Sequence, residues 1–378
     1  MNRKIWIWGM GDAGKLMLNF FKSKSIAIKG LIDNSDKLCH KDYGGYKIIS
    51  LEEAKLLIEK DDMIICCCSL TLYETFKKCL SAFGHSRYEN FYEVDMGDFT
   101  YSTVDEGHEA GIVSKLCTEI DFRSKDFQII RNELMGDEEQ VLYRKTWEWV
   151  YIIQVLQHYK MLGNGKRGIG FAVGREPLPS YFAGKQNYVL ASDLTISEES
   201  AKKWADTNQH ASGNLKNLWY GRVCSKDLFE QYVKYRDIDM NDLPTDEKDY
   251  DFCWSSCAIE HVGSLEKSKL FLKNMLDVLK SGGVAIHTTE FNLSSNDATI
   301  EEGDSVIFRK KDIEELKEWF QKHGHYMETS YKRAKTEGNS YVDISPFHSE
   351  YKPYHLSLAA EGYAETSFAI VVVKDGLK

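Results

Sequence analysis

Apolar and polar positions along the first hundred residues fall into blocks of two different periods. "IWIW" (5–8) is an apolar run and a glycine-rich turn follows it. Residues 15–24 have the spacing of an amphipathic helix, and "AIKGLID" is a second apolar run that closes at Asp33. Strand, turn, helix and strand make a β-α-β unit. "GYKIISLEEAKLLIEK" and "DMIICCCSLTLYETFKKCLSAFG" continue the alternation, so residues 1–98 are expected to form a small α/β domain on a parallel sheet. Residues 99–135 are polar with weak periodicity and are expected to be a linker.

From 136 to 378 a second α/β region is expected. It opens with a helix that places Trp149, Ile152, Ile153, Leu156 and Tyr159 on one face. Strands are then expected at "RGIGFAVG", "NYVLASDL", "YRDIDM", "YDFCWSSC", "VAIHTTEF" and "TSFAIVVVK", with helices at "SLEKSKLFLKNMLDVLK" and "KKDIEELKEWFQKHG". The expected fold class is α/β with two Rossmann-like domains, and 378 residues suit two cores better than one.

Charge narrows the partners. A net charge of −10, with lysines and arginines scattered among more numerous acids, is not the footprint of a nucleic-acid binder. No apolar stretch approaches the ~20 residues of a membrane span, and the N-terminal apolar run is too short for a signal peptide. The nine cysteines include Cys66, Cys67 and Cys68 in an apolar segment and form no C-x-x-C pair, which suits reduced, buried thiols and a cytoplasmic location.

Two loops carry candidate nucleotide chemistry. In "WIWGMGDAGKL" the spacing Gly9-x-x-x-x-Gly14-Lys15 is a Walker A loop without its final hydroxyl, since Leu16 stands there. The same loop read as Gly9-x-Gly11-x-x-Gly14 is a dinucleotide fingerprint, and Asp33 closes the next strand nineteen residues after Gly14, where a carboxylate grips ribose hydroxyls. A tight turn that binds nothing remains open as the alternative. In the second loop, "GIGFAVGREPLPS", Asp193 follows Gly174 by the same interval. Pro177 and Pro179 there make a pyrophosphate against the helix unlike what the loop can accept, so a cofactor with ribose and no phosphate is expected.

From Gly168 onward the chain resembles a class I S-adenosylmethionine-dependent methyltransferase. "GFAVG" is similar to the family's glycine-rich first motif, with Gly170 in its acidic place and Ala172 in a glycine place. "DMNDLP", "YDFCWSSCAIEHVGSL" and "LKSGGVAIHTTEFN" are similar to its later motifs. The resemblance implies a seven-stranded sheet and S-adenosylmethionine as cofactor. It further implies cofactor contacts at Gly170, Ala172, Gly174, Asp193 (ribose), Asp239 (adenine amine), Met240 and Ser256.

Methyl transfer requires the acceptor to be aligned, water to be excluded and, for a hydroxyl, a proton to be removed. Ligands of open α/β sheets sit beyond the carboxyl ends of the strands. That puts Glu260, His261, His287 and Glu290 forward, with His261, His287 and Glu290 as the expected catalytic set and "HTTEFN" as the substrate-facing wall. A structural role remains open for each histidine. Asp343 and His355 lack a ligand spacing with His287, so no metal is expected. Trp204, Gln209, His210, Trp219 and Tyr220 in the insert 195–234 are candidates for a lid.

"WIWGMGDAGK", "GLIDNSDK" and "GGYKIISLEEA" resemble the N-terminal domain of bacterial sugar acyltransferases. This implies an accessory nucleotide or nucleotide-sugar site at Gly9, Gly11, Gly14 and Asp33. The combined expectation is an O- or N-methyltransferase for a small-molecule acceptor, a sugar or glycan precursor of surface-polysaccharide synthesis, that is able to form a homo-oligomer. An inactive methyltransferase-like scaffold and a nicotinamide-dependent oxidoreductase remain as alternatives.

Overall fold

The computed structural model describes residues 4–81, 84, 87–136, 141–163, 165–195, 197, 210–211, 215–347 and 352–376. Two compact units divide the chain: 1–103 with 293–295 and 337–365, and 104–292 with 296–336 and 366–378.

Unit 1 holds a sheet in the order Asp42–Tyr43, Tyr46–Ile49, Ile28–Ile32, Ile5–Trp8, Met63–Cys66, Tyr88–Asn90. Its pairs are parallel except for the two-strand hairpin at the first edge. The helix Asp12–Ser23 follows the first strand and buries Leu16, Met17, Phe20 and Phe21. The other side carries Trp8 stacked on Phe76 (4.4 Å) among Ile32, Ile64, Cys66 and Cys68. Burial pushes the Cys66 and Cys68 thiols up to about 12, so they are packing groups and not nucleophiles.

The first loop is held by its own atoms. Gly9 has φ of +93°, and a Cβ on Gly14 would lie 1.9 Å from the Gly9 carbonyl oxygen, so the turn needs glycine at both places.

Unit 2 is built on a sheet ordered Val233–Asp237, Tyr188–Asp193, Arg167–Gly170, Tyr250–Ser256, Leu279–Asn292, Tyr363–Val373. The first five pair in parallel. Tyr250–Ser256 is buried at every position, as a central parallel strand covered on both faces must be.

The expected linker is folded. Ser114–Leu116 pairs antiparallel with the terminal strand and parallel with Thr329–Ser330, so the sheet is extended by a strand from ahead of the methyltransferase-like region. Glu119–Phe122 and Lys125–Met135 are helices. Buried Lys115 ties this segment down through Asp121 (2.9 Å) and the Glu109 carbonyl, and Asp121 also accepts from Trp147 Nε1 (2.8 Å). The segment looked like a linker because its polar groups are paired inward and its elements are short.

The helix Arg144–His158 also departs from expectation. Trp147, Val150, Tyr151 and Val155 are buried along with Ile152, Ile153 and Leu156, while Trp149 and Tyr159 are half-buried. A helix apolar nearly all round is a core helix. Among the described residues no helix is long and apolar enough to cross a membrane.

Candidate active site

The glycine loop of unit 2 turns sharply after Gly170. Ala172 and Gly174 both take positive φ (+48° and +53°), and Val173 N–H donates to the Ser192 carbonyl (2.9 Å). A Cβ on Gly170 would meet the Trp254 ring at 2.4 Å and Val173 Cγ1 at 2.6 Å, so this strand end has no room for a carboxylate. Gly170 is there for packing, and the place where the resemblance expects an acid is closed.

Asp193 ends its strand almost fully buried. Its carboxylate accepts from the Leu194 N–H (3.0 Å) and the Ala211 N–H (3.2 Å), with His210 Nε2 3.6 Å away. Burial raises its pKa, and His210 and the backbone donors oppose that rise. Asp239 is exposed and folds back on Asn241 N–H (2.8 Å), while the neighbouring Met240 is buried. Of the expected lid, Trp204 and Gln209 lie outside the described residues. His210 bonds the Leu194 carbonyl (2.8 Å), Trp219 donates to the Cys224 carbonyl (3.0 Å), and Tyr220 donates its hydroxyl to the Arg175 carbonyl.

At the carboxyl-terminal ends of Tyr250–Ser256 and Leu279–Asn292 lies a buried polar cluster whose centre is a residue not singled out from sequence, Glu148. Its Oε2 takes hydrogen bonds from Lys145 Nζ (3.0 Å), Ser256 Oγ (2.9 Å) and Thr288 Oγ1 (3.1 Å). Its Oε1 takes them from Ser367 Oγ (2.6 Å) and Cys257 Sγ (3.0 Å). Burial alone would raise the Glu148 pKa. The charges of Lys145 and Arg144 and the Cys257 and Ser367 hydrogen bonds outweigh burial and bring it down to about 2. Arg144 grips Glu290 with both terminal nitrogens (2.9 and 2.7 Å). Ser256 therefore belongs to this cluster, where it bonds Glu148 and Lys145.

Strand alternation divides "HTTEFN" into two faces. Thr288 and Glu290 face the helix that carries Glu148 and Arg144, as their hydrogen bonds show. His287 and Thr289 face the other way. His287 is wholly buried, bonded through Nδ1 to Ser255 Oγ (2.8 Å), and its ring meets Phe271 edge-on at 5.5 Å. Burial pushes its pKa down to about 3. A neutral imidazole locked in the core is not the base expected from sequence. His287→Ala should cost stability, about 2–4 kcal/mol for the cavity, and leave the turnover of the folded fraction within a few-fold. A selective loss of turnover in a fully folded variant would return His287 to the site.

Glu260 is a buried acid that, among the described residues, no lysine or arginine pairs with. Its Oε2 bonds Thr289 Oγ1 (3.1 Å), its Oε1 has no hydrogen-bond partner among the described residues, and His261 Nε2 stands 3.8 Å from Oε1. Burial, then the negative Glu290, push its pKa up to about 8. His261 is partly exposed and held through Nδ1 by the Asp304 carbonyl (2.7 Å). The structure thus brings Glu290, Glu260 and Ser256 together with Cys257, sets His261 at their margin, and leaves His287 out.

In unit 1, Asp33 Oδ2 accepts the Met10 N–H (2.7 Å) and Oδ1 the Ser35 N–H (2.7 Å), so its carboxylate braces the loop. Lys15, the residue a Walker loop aims at phosphate, is paired with Glu361. A Cβ on Gly11 would meet nothing within 4 Å. Asp343 bonds His355 (2.7 Å) as a buried pair within unit 1.

Residues 1–90 match the family model described as C2185-like, N-terminal, and residues 193–287 match the one described as methyltransferase domain. No curated protein matches the chain. Among solved structures, a TehB-like SAM-dependent methyltransferase from Corynebacterium glutamicum is similar at 14% identity over 65% of this chain and 94% of that one (TM-score 0.32). An S-adenosylmethionine-dependent methyltransferase from Clostridium acetobutylicum is similar at 14% over 66% and 98% (TM-score 0.34). The magnesium protoporphyrin IX methyltransferase from Synechocystis, with S-adenosylhomocysteine bound, is similar at 12% over 68% and 97% (TM-score 0.35).

The methyltransferase-domain match begins at Asp193, the last residue of the second strand of unit 2, and runs through the third and fourth strands into the fifth. The segment opens on a buried carboxylate, Asp193, at the end of the second strand, which suits a ribose. Residues 193–287 of unit 2 thus match a methyltransferase domain, on a sheet whose first five strands run in parallel.

Proposed function

We propose that this chain transfers a methyl group from S-adenosylmethionine to a small-molecule acceptor, a sugar or glycan precursor, at the cluster of Cys257, Glu260 and Glu290. The bound cofactor supplies an electrophilic sulfonium methyl. The chain's residues must do the rest: anchor the ribose, exclude water, and take a proton from the acceptor hydroxyl. Asp193 is the ribose anchor in this reading. Glu260 is the base, because a buried carboxylate whose pKa lies near working pH suits proton removal. The fixed pairs Arg144–Glu290 and Lys145–Glu148 hold the wall around it. The observation that carries the reading is the convergence of Glu260 and Glu290 at the strand ends within and beside the matched segment 193–287.

The sugar acceptor rests on the N-terminal resemblance. Unit 1 is read as an accessory nucleotide or nucleotide-sugar domain, with Gly9 and Gly14 shaping the loop, Asp33 bracing it and the open position at Gly11 giving access.

Asp193→Ala should weaken S-adenosylhomocysteine about tenfold or more by calorimetry, from the loss of a buried charge-assisted contact. Unchanged affinity in a folded variant would move the ribose elsewhere. Screening nucleotide-sugars with labelled S-adenosylmethionine tests the acceptor class, and methylation of none of them removes it.

A further inference from the structure

Glu176 is a buried carboxyl for which the mechanism above has no use. It lies just past the glycine loop, 5% exposed, and Oε1 accepts from Trp254 Nε1 at 2.6 Å. Among the described residues Trp254 is its hydrogen-bond partner, and no lysine, arginine or histidine pairs with it. Three other buried acids of the region are provided for, Glu148 by Lys145, Glu290 by Arg144 and Asp193 by backbone donors, and the fourth, Glu260, has His261 Nε2 3.8 Å from its Oε1. Trp254 is the ring that closes off Gly170, so the residue that excludes an acid from the strand end is also the one that orients Glu176. Burial pushes the Glu176 carboxyl up to about 8. The Trp254 hydrogen bond and the Lys145 charge oppose this, while the negative Glu148 and Asp193 add to it, and Tyr220 also feels its field.

A buried acid with one oriented oxygen and no cation is a receptor for a cation brought by a ligand. The cofactor's amino-acid half carries a primary ammonium. We propose that Glu176 binds the α-ammonium of S-adenosylmethionine, doing from beyond the loop what no side chain at position 170 can do. This assignment rests on the cofactor reading of unit 2.

Calorimetry on the full chain tests it with S-adenosylhomocysteine and with 5′-methylthioadenosine, which keeps the adenosine and the sulfur but lacks the amino acid. Glu176→Gln should weaken S-adenosylhomocysteine at least tenfold and leave methylthioadenosine within twofold. At pH 7 the empty-site carboxyl is mostly protonated, and an ammonium favours its charged form. The wild type should therefore release close to one proton per S-adenosylhomocysteine bound and none with methylthioadenosine. That comparison needs no variant, so it stands if Glu176→Gln does not fold. Equal weakening of both ligands, or no proton release with S-adenosylhomocysteine, would overturn the assignment and leave Glu176 as a prop for Trp254. Wild type that binds neither ligand overturns the cofactor reading itself, and this assignment with it.

Discussion

Glu148→Ala is expected to destabilise unit 2 by about 3–5 kcal/mol, the scale for removing one partner of a buried ion pair and stranding the other. Five side-chain donors converge on this carboxylate, and Lys145 and Arg144 lose their nearest counter-charge or part of it when it goes. The pH dependence has a definite sign. The Glu148 pKa falls from 4.5 to about 2 on folding, so its contribution is fully present above pH 4.5 and is lost as pH drops toward 2. At about 1.4 kcal/mol per pH unit that amounts to roughly 3 kcal/mol. Urea unfolding of wild type and of Glu148→Ala, at pH 7 and at pH 3, measures both. A loss below about 1 kcal/mol at pH 7 would mean that the cluster is solvated and weakly coupled.

The second large effect is on turnover. Glu260→Gln should lower kcat by about 10²–10⁴-fold, the usual contribution of a positioned base, with S-adenosylhomocysteine affinity unchanged within about threefold. Because the Glu260 pKa is raised to about 8, kcat/KM of the wild type should climb with pH through that value as the base loses its proton. The variant's profile should be flat there. Lys15→Ala in unit 1, whose amine is already held by Glu361, should leave kcat at saturating acceptor nearly unchanged. Loss of turnover in Lys15→Ala with full activity in Glu260→Gln would relocate the chemistry to the first loop.

The order of strands and helices was readable because most parallel strands carry a short apolar run closed by a turn residue, with Asp193 ending its strand and Asp33 following directly on Ile32. Glu260, past the fourth strand, and Glu290, near the end of the fifth, were legible as acids at the carboxyl ends of the sheet. Glu148, Arg144 and Lys145 were not, because they sit in "RKTWEWVYIIQVL", a helix whose aromatic content drew the eye to its packing face. The available signal was a carboxylate four residues after an arginine inside an otherwise apolar helix, which is costly unless the charges meet partners. His287 misled for a related reason. "HTTEFN" is polar throughout, and only the pairing register tells which alternate side chains face the cluster and which face the core.

The role of Gly170 was hidden as well. A glycine in an acid's place reads as degeneration of the motif, whereas the Trp254 ring that needs the space comes from a strand some eighty residues later. Long-range packing of this kind leaves no local trace. Glu176, next to prolines in "REPLPS", reads from sequence as an ordinary residue at the start of a helix.

Everything proposed for unit 2 depends on its holding S-adenosylmethionine, and calorimetric titration of the full-length wild-type chain with S-adenosylhomocysteine tests that most directly. Saturable binding of one molecule per chain, competed by S-adenosylmethionine and absent with NAD, is the predicted result. A flat titration in a sample that unfolds cooperatively would contradict it.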